Sequence, residues 1–136
     1  MRIERLSLLR YGKFTDQLLS FPRSGRDFHL IVGANEAGKS TTRSAILDLL
    51  YGIEMRTTFG YLHGMPEMRL GATIEHGGTA LDFIRTKSKK SLLDASGSAL
   101  PDTALTAFLA GTDRRYFDQM FGLNHERLVA GGNSIL

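Results

Sequence analysis

Apolar residues recur along this chain with two different periods, and the switches between them mark the elements. Residues 2–9 place Ile3, Leu6 and Leu8 between polar neighbours, which predicts a strand. Tyr11-Gly12-Lys13-Phe14 reads as a bend, and 17–21 as a second strand closed by Pro22 and the turn-like Arg23-Ser24-Gly25-Arg26. Residues 28–32 form a nearly continuous apolar run, the pattern of a strand buried on both faces. Ile46, Leu49, Leu50 and Ile53 then recur at helical spacing, so 39–51 is predicted as one helix with Gly52 at its C-terminal cap. Gly60, Gly64 and Pro66 predict a loop over 56–68.

Two further strands are predicted at 69–76 and 79–86. Ala72/Ile74 and Leu81/Phe83 alternate with more polar residues, and Gly77-Gly78 supplies the positive φ of a two-residue hairpin turn. Residues 87–100 are polar and basic, a predicted loop. Pro101 and Asp102 open a short helix that Gly111 ends. Asp113 caps a second, with Tyr116, Phe117, Met120 and Phe121 on one face and Gly122 at its end.

The length of 136 residues suits one domain with one core. Hydrophobic residues make up 42% and charged residues 23%, an ordinary globular balance. There is no cysteine, so disulfides and cysteine zinc sites are excluded. Arg2, Glu4, Arg5 and Arg10 interrupt the N-terminal region, unlike a signal peptide, and no apolar run approaches membrane-spanning length. The expectation is a soluble cytoplasmic protein with no membrane partner. The net charge of +3 is compatible with an acidic partner or with an ordinary solvated surface.

One segment carries chemistry. Gly33-Ala34-Asn35-Glu36-Ala37-Gly38-Lys39-Ser40 fits G-x-x-x-x-G-K-[ST] at every fixed position, between a predicted strand and a predicted helix. Such a loop wraps phosphates with backbone N–H groups, and its glycines permit the close approach. The helix N-terminus adds its dipole. In this reading Lys39 reaches the β- and γ-phosphates, Ser40 ligates Mg2+ and Thr41 lies at the α-phosphate. The implied cofactors are ATP and Mg2+. Glu36 would repel phosphates unless it points outward, towards solvent.

A complete P-loop hydrolase also needs an acidic residue at the end of a Walker-B-type strand. Asp94 follows only Leu92-Leu93, Asp48 lies inside the predicted helix and Asp82 in the hairpin, so none qualifies. Arg85, Lys87, Lys89 and Lys90 form a basic cluster that reads either as a DNA-backbone contact or as a solvated loop.

The whole chain resembles the N-terminal half of an ABC-type ATPase head of the Rad50/SMC/RecF group, and within it the bacterial YhaN-like family of AAA-domain proteins. The resemblance rests on the opening segment 3–14 with Leu6, Tyr11 and Phe14, and on the loop from Gly33 through Thr41. It rests also on 45–52, which ends Leu-Tyr-Gly, and on 117–128, FDQMFGLNHERL. It implies an α/β fold: a P-loop NTPase, the N-terminal lobe of an ABC-ATPase head, with an antiparallel β subdomain. It implies that a coiled coil and a C-terminal half supply the signature and Walker B motifs. It implies head–head dimers coupled to DNA, with a nuclease subunit as a possible partner. Relatives place a glutamine near Asn124-His125. Asn124 is the candidate to replace it at magnesium and the attacking water, with His125 the other choice. Lys13 either approaches a nucleotide, as residues after the first strand do in relatives, or is a surface lysine.

The expected organisation is an incomplete head. Residues 1–55 hold strands, P-loop and first helix; 69–86 the hairpin; 101–122 two short helices; and 123–136 a Q-loop-like segment and tail. By itself such a piece is expected not to hydrolyse ATP at a meaningful rate, for lack of the Walker B and signature motifs. The rival readings are a small P-loop kinase, with Arg114-Arg115 as a lid, and a non-hydrolysing nucleotide-gated interaction module.

Overall fold

The computed structural model describes residues 1–89, 91–122 and 128–130. Its centre is a five-stranded antiparallel sheet in the order β2-β1-β3-β4-β5. β1 (Arg2–Tyr11) turns through Gly12 and Lys13 into β2 (Phe14–Ser20), with Tyr11 opposite Phe14. β3 (Arg69–His76) and β4 (Thr79–Thr86) form the second hairpin, and β5 (Leu92–Leu93) adds a short edge. The β3–β4 turn is the predicted Gly77-Gly78, with φ of 58° and 81°.

Register explains an irregularity in the β1 pattern. Ile3 and Leu6 are an odd number of residues apart, as are Leu8 and Tyr11, so a regular strand would send them to opposite faces. The β1–β3 pairing slips between Ile3 and Arg5 and again between Leu8 and Arg10. Each slip re-aims the following side chains. Leu6, Leu8 and Tyr11 are consequently all buried on one face, while Arg5 and Arg10 are exposed.

That face packs on α1 (Lys39–Tyr51), which contributes Ala45 and Leu49 to the core alongside Leu70, Ile74 and Phe83. Ala72 stands opposite Phe83 and Ile74 opposite Leu81, so the alternation expected for the hairpin holds. Beyond the sheet, a 3-10 turn at Asp102–Leu105 continues into α2 (Thr106–Leu109). α3 (Arg114–Phe121) follows, with the Asp113 carboxylate accepting from the Tyr116 N–H at 2.7 Å.

The structure corrects two expectations and adds detail to two others. Residues 28–32 form no strand: among the described residues no sheet ladder includes them, and Phe28, Leu30 and Val32 are 79%, 75% and 79% exposed. An apolar run becomes a strand only where a neighbouring strand receives its hydrogen bonds, and none is present beside it here. The α3 face is mostly uncovered. Phe117 packs near Tyr51 and Phe121, with centroids 5.8 and 5.1 Å away, but Tyr116, Met120 and Phe121 are exposed. Leu92–Leu93 is a strand rather than loop, with Leu92 buried. Two members of the Arg85 cluster are engaged within the fold, while Lys89 is exposed and Lys90 lies outside the described residues. Arg85 is buried and donates to the Leu49 and Leu50 carbonyls at 2.9 and 3.0 Å, and Lys87 donates to the Glu54 and Met55 carbonyls. Arg85 thereby satisfies the open C-terminal end of α1, whose last turn has no basic residue of its own, and Lys87 holds the segment just beyond it.

Candidate functional site

The site begins with two glycines. Gly38 stands at the N-cap of α1 with φ of 108°, a conformation that favours glycine, and a side chain there would run into the Phe14 ring. Gly33 closes the other end of the loop, where an added Cβ would lie 3.0 Å from the Cβ of Ala37. Between them the Ala37 N–H bonds the Ala34 carbonyl at 3.2 Å, and Glu36 takes a φ of 64°. The loop therefore folds tightly against the β1–β2 turn and leads without a break into the helix. The Thr42 N–H and hydroxyl both bond the Gly38 carbonyl at 2.9 Å.

The loop encloses a cleft of about 350 Å³ at the start of α1. Lys39, Ser40 and Thr41 line it from the helix, Asn35 from the loop, and Lys13 and Tyr61 from two other segments. The Lys39 ammonium folds back onto its own loop, donating to the Gly33 carbonyl and, at 3.0 Å, to that of Ala34. The Lys13 ammonium donates to the Glu36 carbonyl and sits 5.7 Å from the centre of the Phe14 ring. Two ammonium groups, a helix N-terminus and a glycine-bounded turn thus border one concavity. The chemistry of that set suits a multiply charged anion. Among the described residues lining the cleft, Glu36 is the one carboxylate.

The structure brings together the loop residues that the sequence singled out and adds two neighbours. Lys13, for which a surface role was the alternative, borders the cleft. Tyr61 was missed: it lies in the glycine-rich stretch between α1 and β3, where no periodicity points to it. Asn124 and His125 lie outside the described residues. The three acids weighed as Walker-B candidates are accounted for otherwise. Asp48 is buried inside α1, Asp82 accepts from Thr73 and Arg5 on the sheet, and Asp94 accepts from the Ser96 and Ser98 N–H groups of its own turn. Those turn contacts, led by the Ser96 side chain, hold the Asp94 carboxyl below its ordinary range. Arg114, half of the supposed kinase lid, pairs with Asp48 at 2.6 Å and donates to the Gly52 carbonyl at 2.9 Å.

Behind the cleft, a buried contact fixes the hairpin to the helix. The Tyr11 hydroxyl donates to Asp48 at 2.6 Å. Burial first, then that carboxylate, pushes the phenol above its ordinary pKa. Arg85 is moved the other way: burial lowers its guanidinium to about 10, so it stays charged at neutral pH where it caps α1.

The family model described as AAA domain matches residues 1–136. The chain is also 27% identical over 130 residues to the uncharacterized protein YhaN of Bacillus subtilis (strain 168), covering 91% of this chain. It spans about 13% of the length of that relative. The chain belongs to the AAA-domain family.

Proposed function

We propose that this AAA-domain chain binds ATP with magnesium at the 33–40 loop, as the N-terminal part of a P-loop ATPase head of the Rad50/SMC kind. The observation that carries the reading is the convergence of Lys39 and Lys13 on the cleft at the α1 N-terminus, beside a loop closed by Gly33 and Gly38. In this reading the two ammonium groups leave their loop carbonyls for phosphate oxygens, a stronger, charge-assisted bond. The Ser40 hydroxyl lies in the same cleft, one residue after Lys39, and fits a single magnesium ligand. Among the described residues no cluster of three or more His, Cys, Asp or Glu side chains could hold a metal ion, so in this reading its other ligands would be phosphate oxygens, water and residues outside the described ones, Asn124 the candidate among them.

Hydrolysis, on this reading, needs an acid from elsewhere, supplied by a C-terminal half of the same head. The exposed 28–32 segment supports that partner. It leads directly into the phosphate loop with its apolar side chains and backbone edges uncovered, as a strand waiting for neighbours would. Head–head dimerisation and coupling to DNA, with or without a nuclease subunit, extend the same resemblance. The kinase alternative loses half of its lid, because Arg114 is engaged in holding α1.

Calorimetric titration with ATP, ADP and AMP in magnesium tests the binding reading. A loop built for β- and γ-phosphates gives affinities in the order ATP, ADP, AMP. An affinity for AMP equal to that for ATP would contradict it.

A further inference from the structure

Tyr61 is held in place by residues that flank it, yet its own ring has no structural work. Two positions before it, the Phe59 carbonyl accepts from the Gly12 N–H at 2.9 Å, and the Phe59 ring stacks on Tyr11 with centroids 4.9 Å apart. Two positions after it, His63 Nε2 lies 3.0 Å from the Phe14 carbonyl oxygen and 2.9 Å from the Thr15 hydroxyl. Both anchors fasten the α1–β3 connection to the β1–β2 hairpin. Tyr61 is carried between them to the cleft, where it remains 68% exposed. A large aromatic ring displayed on a fastened backbone beside a polar cleft is placed for a ligand rather than for the core.

Its position along the cleft says which part of a ligand it meets. The Tyr61 hydroxyl and the Thr41 methyl crowd the same point: a Cβ built on Gly12 would lie 3.6 Å from the one and 2.9 Å from the other. In the phosphate-loop reading Lys39 takes the β- and γ-phosphates and Thr41 the α-phosphate, so Thr41 marks the end from which the nucleoside leaves. We propose that Tyr61 is the nucleoside-contacting wall of this cleft, stacking on the base of the bound nucleotide. The proposal rests on the ATP-binding reading above and adds a residue that discriminates a nucleotide from a bare polyphosphate. Every nucleobase offers a π-face, so the contact strengthens nucleotide binding without selecting adenine over guanine.

The test compares Mg-ATP with Mg-tripolyphosphate, which has the phosphates but no nucleoside, by calorimetry on the 136-residue chain. Stacking predicts that Tyr61→Ala weakens ATP about 5- to 100-fold. It also predicts that tripolyphosphate binding stays within about 2-fold and that Tyr61→Phe keeps the wild-type affinity for both. Tyr61→Leu carries the same comparison if the alanine variant loses its fold by circular dichroism. Equal loss for both ligands, unchanged ATP affinity, or a Phe variant as weak as Ala would overturn the proposal. Tripolyphosphate binding as tightly as ATP to wild type would overturn it while leaving the phosphate loop intact. A wild-type chain that binds neither ligand would overturn both readings.

Discussion

The Tyr11 hydroxyl donates to the Asp48 carboxylate at 2.6 Å inside the core, and Arg114 grips the other oxygen of the same carboxylate at 2.6 Å. One buried acid thereby joins the end of β1, the last turns of α1 and the start of α3. The β1–β2 turn that carries Lys13 and packs Phe14 on Gly38 depends on that joint for its position.

Tyr11→Phe removes one donor from Asp48 and keeps the ring that stacks on Phe59. A hydrogen bond to a charged group contributes about 1.5–3 kcal/mol, so equilibrium denaturation should show a loss in that range. Asp48→Asn should cost more, because the half-buried Arg114 loses one of its two counter-charges as well, keeping only Glu54 at 3.3 Å. Unchanged stability in Tyr11→Phe would mean that the contact does not form.

Arg85→Met should destabilise the chain by about 2–4 kcal/mol, since it leaves the Leu49 and Leu50 carbonyls without their buried donor. Arg85→Lys should recover only part of this, because one ammonium cannot span both carbonyls and Ser91 as the planar guanidinium does. The same substitution should leave any salt-dependent DNA affinity of the chain unchanged, as a buried arginine neutralises no phosphate. A loss of DNA binding in a variant of normal stability would contradict this.

Glu75 and Asp94 should make the fold acid-sensitive. The Gly78 N–H, burial-opposed but reinforced by Arg23, holds Glu75 below its ordinary carboxylate range, and the contacts with Ser96 and Ser98 do so for Asp94. A carboxyl with a lowered folded-state pKa stabilises the fold above its unfolded pKa, and that stabilisation disappears as pH falls through the folded value. Denaturation midpoints measured from pH 7 downward should therefore fall as acid is added below the ordinary carboxylate range. Glu75→Gln should flatten that fall. A variant with the wild-type pH profile would show that the turn contact carries no linkage.

Much of this arrangement was legible in the sequence. α1 was bounded correctly because Gly38 and Gly52 bracket a clear helical period, and the β3–β4 turn because glycine pairs demand a hairpin. The phosphate-loop candidate was legible because its spacing is rigid. Where the reading failed, the cause lay far off in the chain. Residues 28–32 carry a strand pattern, but pattern does not supply a partner. Arg85 reads as surface charge until α1, 36 residues earlier in sequence, turns its carbonyls towards it. Tyr61 sits among glycines and gives no periodic signal; only the anchors at Phe59 and His63 reveal where its ring goes.

The exposed 28–32 segment should make the isolated chain prone to self-association. Co-expression with the proposed C-terminal half of the head should raise its solubility and melting temperature. A monodisperse monomer whose melting temperature does not respond would make residues 1–136 a self-sufficient unit and remove the support for a missing partner.

Titration of Mg-ATP into wild type and Lys39→Ala, in a form that includes the proposed C-terminal half, tests most directly whether Lys39 holds phosphate. Loss of one charge-assisted contact with the phosphates should weaken binding about 10- to 100-fold, with the melting temperature in the absence of nucleotide unchanged. Equal affinities for the two proteins would contradict the assignment of 33–40 as a phosphate-binding loop.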